Sequence, residues 1–286
     1  MSSIGILAGL AFMLAVGVGD FLQSIPTRKI GRMRTLLFRH SLMLLVLVPL
    51  GIYMHAREPI NISASAIFIL VIGTLIYVYG YSNYLKAVEE GFLSIAAPIS
   101  SAYSIVSVML AVLFLHEPLT SIQFVAIFVI LFGILLTSTD LSRIRIAPKG
   151  LKESLIAMVM MGIYFFFVGY VAKATSIFGL FVIMLLLQSL FFIAYTVLQK
   201  GTVRLSESYD KRLILVFLGM TVLYVLAWTS YIFGVSNGLI SLVTPIGSLF
   251  PAVTVILASI FYHEKLVLNQ KFGIGIVLLG LILISL

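Results

Sequence analysis

The chain has 286 residues, 62% of them hydrophobic and 10% charged, with a net charge of +8 and no cysteine. So few charges cannot cover a water-soluble domain of this size, and a mean hydropathy of +1.21 points to a polytopic membrane protein. The missing cysteines exclude disulfides, thiolate nucleophiles and cysteine metal sites, and the basic residues lie between apolar runs, which suits lipid headgroups and topology control rather than nucleic acid.

A membrane span needs about 20 apolar residues. By that measure ten spans are predicted, at 4–24, 35–54, 63–86, 92–115, 119–139, 152–173, 177–199, 211–233, 239–262 and 267–286. They are expected to be helices, because the short alternating strands of a closed barrel are absent and no open sheet satisfies its backbone in lipid. The first run lacks a basic start and an obvious small-residue cleavage site, and is read as a span rather than a removable signal. The polar stretch 140–151, with Arg143, Arg145 and Lys149, separates a first five-helix half (1–139) from a second (152–286).

The segment 77–138 recurs at 224–285. Pro98 falls on Pro245, Ser101 on Ser248, Glu117 on Glu264, Gln123 on Gln270 and Gly133 on Gly280, at a constant offset (264 − 117 = 147). A fixed long period means a duplicated unit. A shift of 148 relates the earlier helices more loosely, placing Gly31 on Gly179 and Ser41 on Ser189. Each half holds an odd number of spans, so the two must be inverted relative to one another, a plan that places the substrate path at the repeat interface. Of the 18 Lys and Arg, all but Arg57 and Lys173 fall to the side of loop 1–2, with Arg39 counted among that loop's cations. The positive-inside rule puts this side in the cytoplasm and both termini outside.

Candidate site residues follow from faces and cost. Tyr77, Tyr81 and Tyr84 share one helical face, matched by Tyr224, Trp228 and Tyr231. Such a face either lines an amphipathic cavity, stacking on a ring or holding a cation, or serves packing and interfacial anchoring. Ser101 and Ser248 lie on the faces of Pro98 and Pro245, which either hinge beside a substrate path or let helices approach closely. Pro251 adds a kink in the second half alone, since its counterpart is Ser104. Asp20 is an acid within the first apolar run. It is read as a substrate or proton group, or as a partner of Arg28 or Lys29. Glu117 and Glu264 sit at helix junctions and are assigned structural roles at helix ends. Their neighbours His116 and His263 lack a second ligand group, so no metal is expected. Gln188 is expected to hydrogen-bond between helices, and Lys173 to snorkel to an interface.

The ten-span, two-half layout, the pair Ser-Ile-Ala-Ala-Pro-Ile-Ser-Ser (94–101) and Ser-Leu-Val-Thr-Pro-Ile-Gly-Ser (241–248), and the junctions Leu-His-Glu-Pro-Leu-Thr (115–120) and Tyr-His-Glu-Lys-Leu-Val (262–267) resemble the EamA-like branch of the drug/metabolite transporter superfamily. Gly17-Val-Gly-Asp-Phe21 resembles a first-helix pattern of some members. The resemblance implies a carrier of small metabolites, often an exporter of amino acids or related compounds, without a bound cofactor. It also implies termini inside, the reverse of the charge count, and a cavity formed chiefly by helices 1, 3, 4, 6, 8 and 9.

The expectation is thus an all-α integral membrane protein of the plasma membrane, with ten transmembrane helices in two inverted five-helix repeats. It is a secondary transporter rather than an enzyme, working by alternating access. Its partners are a small-molecule substrate and the lipid bilayer, with no nucleic acid. Proton coupling is left open, as is the choice between monomer and homodimer. The alternatives are a membrane enzyme acting on a lipid-linked substrate and a non-transporting scaffold. No Walker loop, dinucleotide fingerprint or serine nucleophile elbow occurs in the sequence.

Overall fold

The computed structural model describes residues 2–57, 62–90, 99–138, 150–199, 210–261 and 267–284, and among these there are helices and no strands. The first half contributes α1 (Ser2–Ile30), α2 (Arg32–Arg57), α3 (Ala64–Glu90), α4 (Tyr103–Leu115) and α5 (Ser121–Ser138). The second contributes α6 (Leu151–Ala172), α7 (Ile177–Leu198), α8 (Lys211–Asn237), α9 (Ile240–Gly247), α10 (Phe250–Phe261) and α11 (Leu268–Ile284).

Seven helical stretches are long and apolar enough to cross a bilayer, counting Ile240–Phe261 as one, while Ile99–Leu115, Ser121–Thr137 and Leu268–Ile284 are apolar but shorter. At 1.5 Å per residue the shorter ones reach about 25 Å, less than the hydrocarbon core of about 30 Å. Among the described residues there are ten apolar helical stretches, three of them shorter than a full span. Exposed Leu45, Phe68, Phe128, Phe132, Leu215 and Phe272 give the bundle the apolar outer surface that lipid requires.

Local chemistry sets several boundaries. Gly31 takes a left-handed backbone (φ +82°) and alone separates α1 from α2. The expected basic loop is therefore largely helical: Arg28 and Lys29 form the last turn of α1, and Arg39 lies well inside α2. At the start of α5, Gln123 N donates to Thr120 Oγ1 (3.2 Å) while Thr120 N donates to Gln123 Oε1 (3.1 Å), a reciprocal capping box. Gln270 keeps half of it at α11, accepting from Val267 N (3.1 Å). The repeated glutamines therefore start the fifth helix of each half.

Helix pairing obeys the duplication. α1 packs on α8 as α3 packs on α6; α2 meets α7, α4 meets α9 and α5 meets α11. Exchanging the two halves returns the same pairs. The α5–α11 seam is closed by matched glycines: a Cβ on Gly280 would lie 2.6 Å from Ile130 Cγ1, and one on Gly133 would lie 2.9 Å from the Val277 amide nitrogen. A large core joins α1, α2, α3, α6, α7 and α8, and a smaller one lies among α5, α9 and α11.

The second-half helix carrying both prolines is broken. α9 ends at Gly247 two residues past Pro245, and α10 restarts at Phe250 with Pro251 in its first turn, where a missing N–H costs nothing. Pro98, the expected counterpart of Pro245, and Glu264, the counterpart of Glu117, lie outside the described residues.

Candidate functional site

A cavity of about 520 Å³ lies between the halves. Its deep end is walled by Phe12, Tyr103, Phe165 and Trp228. It follows α1 through Val16 and Asp20 to Ser24 and Thr27, beside the exposed Arg28 and Lys29. Phe12 to Thr27 is fifteen residues, or about 22 Å of helix. The cavity therefore runs from mid-bundle to one end, the end that carries the basic helix termini.

Two hydrogen-bonded runs of polar groups meet along its wall at Gln23. Tyr224 donates its hydroxyl to Asp20 Oδ1 and lies 3.4 Å from Gln23 Oε1. Arg39 Nη1 donates to the same Gln23 oxygen, and its guanidinium sits 4.5 Å from the Tyr224 ring centroid. Arg39 Nη2 donates to His40 Nε2 (2.8 Å). Arginine has no acceptor, so Nε2 is the accepting nitrogen and the His40 proton sits on Nδ1, facing Ser189 Oγ at 3.4 Å. His40 also stacks on Phe192 (4.6 Å). Arg39 is only 8% exposed, yet no carboxylate among the described residues pairs with it directly. Its Nε–H has no hydrogen-bond partner, and neither do the buried hydroxyls of Ser100 and Tyr103 on the same cavity wall.

Below the cavity the bundle is filled by rings. Phe165 stacks on Trp228 (5.4 Å) and on Tyr103 (4.4 Å), and Phe12 meets Trp228 edge-on at 5.8 Å. Tyr231 lies beneath them, fully buried, its hydroxyl 3.1 Å from the Phe165 carbonyl and 3.0 Å from Thr244 Oγ1.

The opposite end is sealed by Glu117. His116 adopts a left-handed conformation (φ 50°) that ends α4, and the Glu117 side chain after it is almost wholly buried. Leu239 at the N-cap of α9 has no acceptor to offer the helix start. Glu117 supplies it from across the bundle. Its Oε1 accepts from Ile240 N (3.0 Å), and its Oε2 accepts from Ser241 N (2.9 Å) and Ser241 Oγ (2.7 Å). Lys173, just past α6, closes the cluster with an ion pair of 2.5 Å to Oε1. Burial raises the pKa of this carboxyl, but the ammonium and the three α9 donors outweigh burial and hold it below the ordinary value.

Of the residues expected to line a cavity, Asp20, Tyr77, Tyr81, Tyr84, Ser101 and Trp228 do, as does Pro251. Tyr231 and Ser248 do not. Tyr231 is behind the ring layer, and Ser248 is buried between α4 and α9, donating to Ser104 Oγ (3.1 Å) and to the Pro245 carbonyl (2.8 Å). The last member of the second aromatic face and one of the paired serines are therefore packing groups in this conformation. Asp20 is held by Tyr224 rather than by Arg28 or Lys29. Lys173 pairs with Glu117 rather than snorkelling, and Gln188 belongs to the cavity wall. The helix that Glu117 caps is α9, across the bundle, and not its own neighbour. Arg39, His40 and Gln23 were missed. The available signal was Arg-His at 39–40 with apolar residues on both sides, which marks a charge inside a span rather than a loop end.

A model of the EamA-like transporter family matches residues 3–139 and again 149–286. The uncharacterized protein MJ1333.1 of Methanocaldococcus jannaschii is 36% identical over 72 residues, a match that covers 25% of this chain and 47% of that relative's length. A solved crystal structure is similar over 98% of this chain and 96% of its own, with a TM-score of 0.79 at 13% identity, a likeness that bears on the fold alone.

Proposed function

The chain belongs to the EamA-like transporter family of multi-pass membrane proteins, and from that premise we propose that it is a secondary transporter of a small organic solute. It works by alternating access between two inverted five-helix repeats, 1–139 and 152–286, joined by the connector 140–151. The observation that carries this reading is the opposition of the two ends. A cavity of ligand size reaches one end of the bundle, while Glu117, Lys173 and the first turn of α9 close the other. A carrier needs such a one-sided state, and exchange of like halves supplies the opposite one.

The exchange-symmetric helix pairing supports the repeat, and the break between α9 and α10 beside Pro245 and Pro251 supports a hinge there. The positive-inside rule puts the cavity mouth on the cytoplasmic side of the plasma membrane and both termini outside, and export is proposed as the direction of flow because the family resemblance implies it. An enzyme acting on a lipid-linked substrate is less favoured, since the described acid nearest an interface histidine, Glu117, has both oxygens committed to α9.

Purified protein in proteoliposomes should catalyse counterflow of organic solutes, and flux with and without an imposed pH gradient decides whether protons are coupled. Folded protein that moves no solute of any charge class would overturn the transporter reading. Single cysteines placed at each terminus, with no native cysteine to interfere, test the orientation by impermeant labelling.

A further inference from the structure

Arg39 is a buried cation in a membrane span, and one of its nitrogens, Nε, has no hydrogen-bond partner. Holding such a charge away from water without a paired anion is costly, and the arrangement persists where a ligand completes it. We propose that the cavity selects a singly charged organic carboxylate with an apolar, ring-bearing body, received by the Arg39 guanidinium. This inference rests on reading the cavity as the solute site.

The chemistry of the wall narrows the ligand. Two of the five Arg39 N–H groups are taken, by Gln23 and His40, so the guanidinium keeps three, one on each nitrogen. Among the described residues that line the cavity, Arg39 is the one Lys or Arg, and His40 accepts from it and so is not a second cation. Asp20 lines the same cavity and opposes a second negative charge on the ligand. A phosphate dianion therefore lacks a second cation, whereas a carboxylate matches the single charge. Asp20 is occupied by Tyr224 and shares the wall with the guanidinium, which disfavours a cationic ligand. Tyr77, Tyr81 and Trp228 provide the faces against which a ring packs, and the unpartnered hydroxyls of Ser100 and Tyr103 provide further donors.

Trp228, the single tryptophan, lines the cavity and makes binding visible without transport. Its fluorescence in purified protein is titrated with 3-phenylpropionate, 3-phenylpropanamide and 3-phenylpropylamine, three probes of one shape and different charge. Saturable binding of the acid is expected, with the amide and the amine about ten- to hundredfold weaker, the range of one charge-assisted hydrogen bond. Arg39→Met should erase the preference for the acid. Asp20→Asn should tighten the acid, a gain that misfolding cannot imitate. Equal or tighter binding of the amide or amine, no binding of the acid, or an unchanged preference in both variants overturns the proposal. If the amine or amide binds as tightly as the acid or more tightly and also undergoes counterflow, the carboxylate assignment fails and the transporter reading stands. If the acid binds with the stated preference but no probe moves, the assignment stands and the transporter reading fails.

Discussion

The two ends of this bundle treat polar groups in opposite ways. At the sealed end one carboxylate accepts from three donors of α9 and from Lys173, and no oxygen of Glu117 is idle. At the cavity end a guanidinium N–H and two hydroxyls, all buried, have no partner. A satisfied buried network fixes a structure, whereas polar groups on a cavity wall that lack a protein partner are available to what enters the cavity. The difference separates residues that close one end of the bundle from residues that, on the proposed reading, meet a solute, and it cuts across the sequence repeat. Glu117 and Ser241 belong to the first class; Arg39, Ser100 and Tyr103 belong to the second.

Breaking the seal should have the largest effect. Glu117→Ala leaves the first turn of α9 uncapped and Lys173 unpaired. A loss of about 3 kcal/mol is expected, near the low end for a buried pair because Lys173 is 32% exposed and partly regains water. Thermal unfolding in detergent measures the loss. A cysteine at Val243, fully buried just inside the seal, should become reactive to an impermeant maleimide only in the Glu117→Ala background. The same contact has a defined pH dependence. Its carboxyl is held below the ordinary value, so its contribution is present above the unfolded-state pKa and is lost as pH falls through the lower, folded-state value. Protection of Val243→Cys should therefore persist on acidification through the ordinary carboxylate range and fail only below it.

Gly280→Val sharpens the comparison from outside both ends. The first added carbon already meets Ile130 in the α5–α11 seam, so a cost of about 1–3 kcal/mol in stability is expected with no change in solute affinity. Tyr231→Phe removes a hydroxyl that has partners but lies outside the cavity. About 1 kcal/mol of stability should go, again with affinity unchanged. Tyr103→Phe is the subtlest test. Its hydroxyl is buried without a partner, so the empty protein should be unchanged or stabilised by up to about 1 kcal/mol while solute affinity falls. Equal destabilisation by Tyr103→Phe and Tyr231→Phe would erase the distinction between the two ends.

Much of this architecture is legible in the residues. The apolar runs give the helices, because lipid leaves backbone groups no partner but their own chain. Tyr77, Tyr81 and Tyr84 reach one cavity wall because their spacing keeps them on one face of α3. The repeated glutamines and glycines keep equivalent places, at the start of the fifth helix of each half and at the seam between those helices. The duplicated aromatic face misleads at Tyr231, because a face identifies which side of a helix looks inward and not how deep the cavity reaches. Arg39 was counted with the loop cations, but it lies within α2, inside the bundle.

What the sequence by itself determined is a membrane protein of two related helical halves, since composition and period are properties of the chain alone. Tertiary structure decided what individual side chains of the repeat do. Glu117 caps α9 from 123 positions away, and Arg39 meets Asp20's network through Gln23 and Tyr224, groups drawn from three helices. Hydrogen bonds and charges act over a few ångströms of space. No periodicity along the chain encodes such distances, so the sealed end and the unmet cavity donors become visible only when the helices are packed.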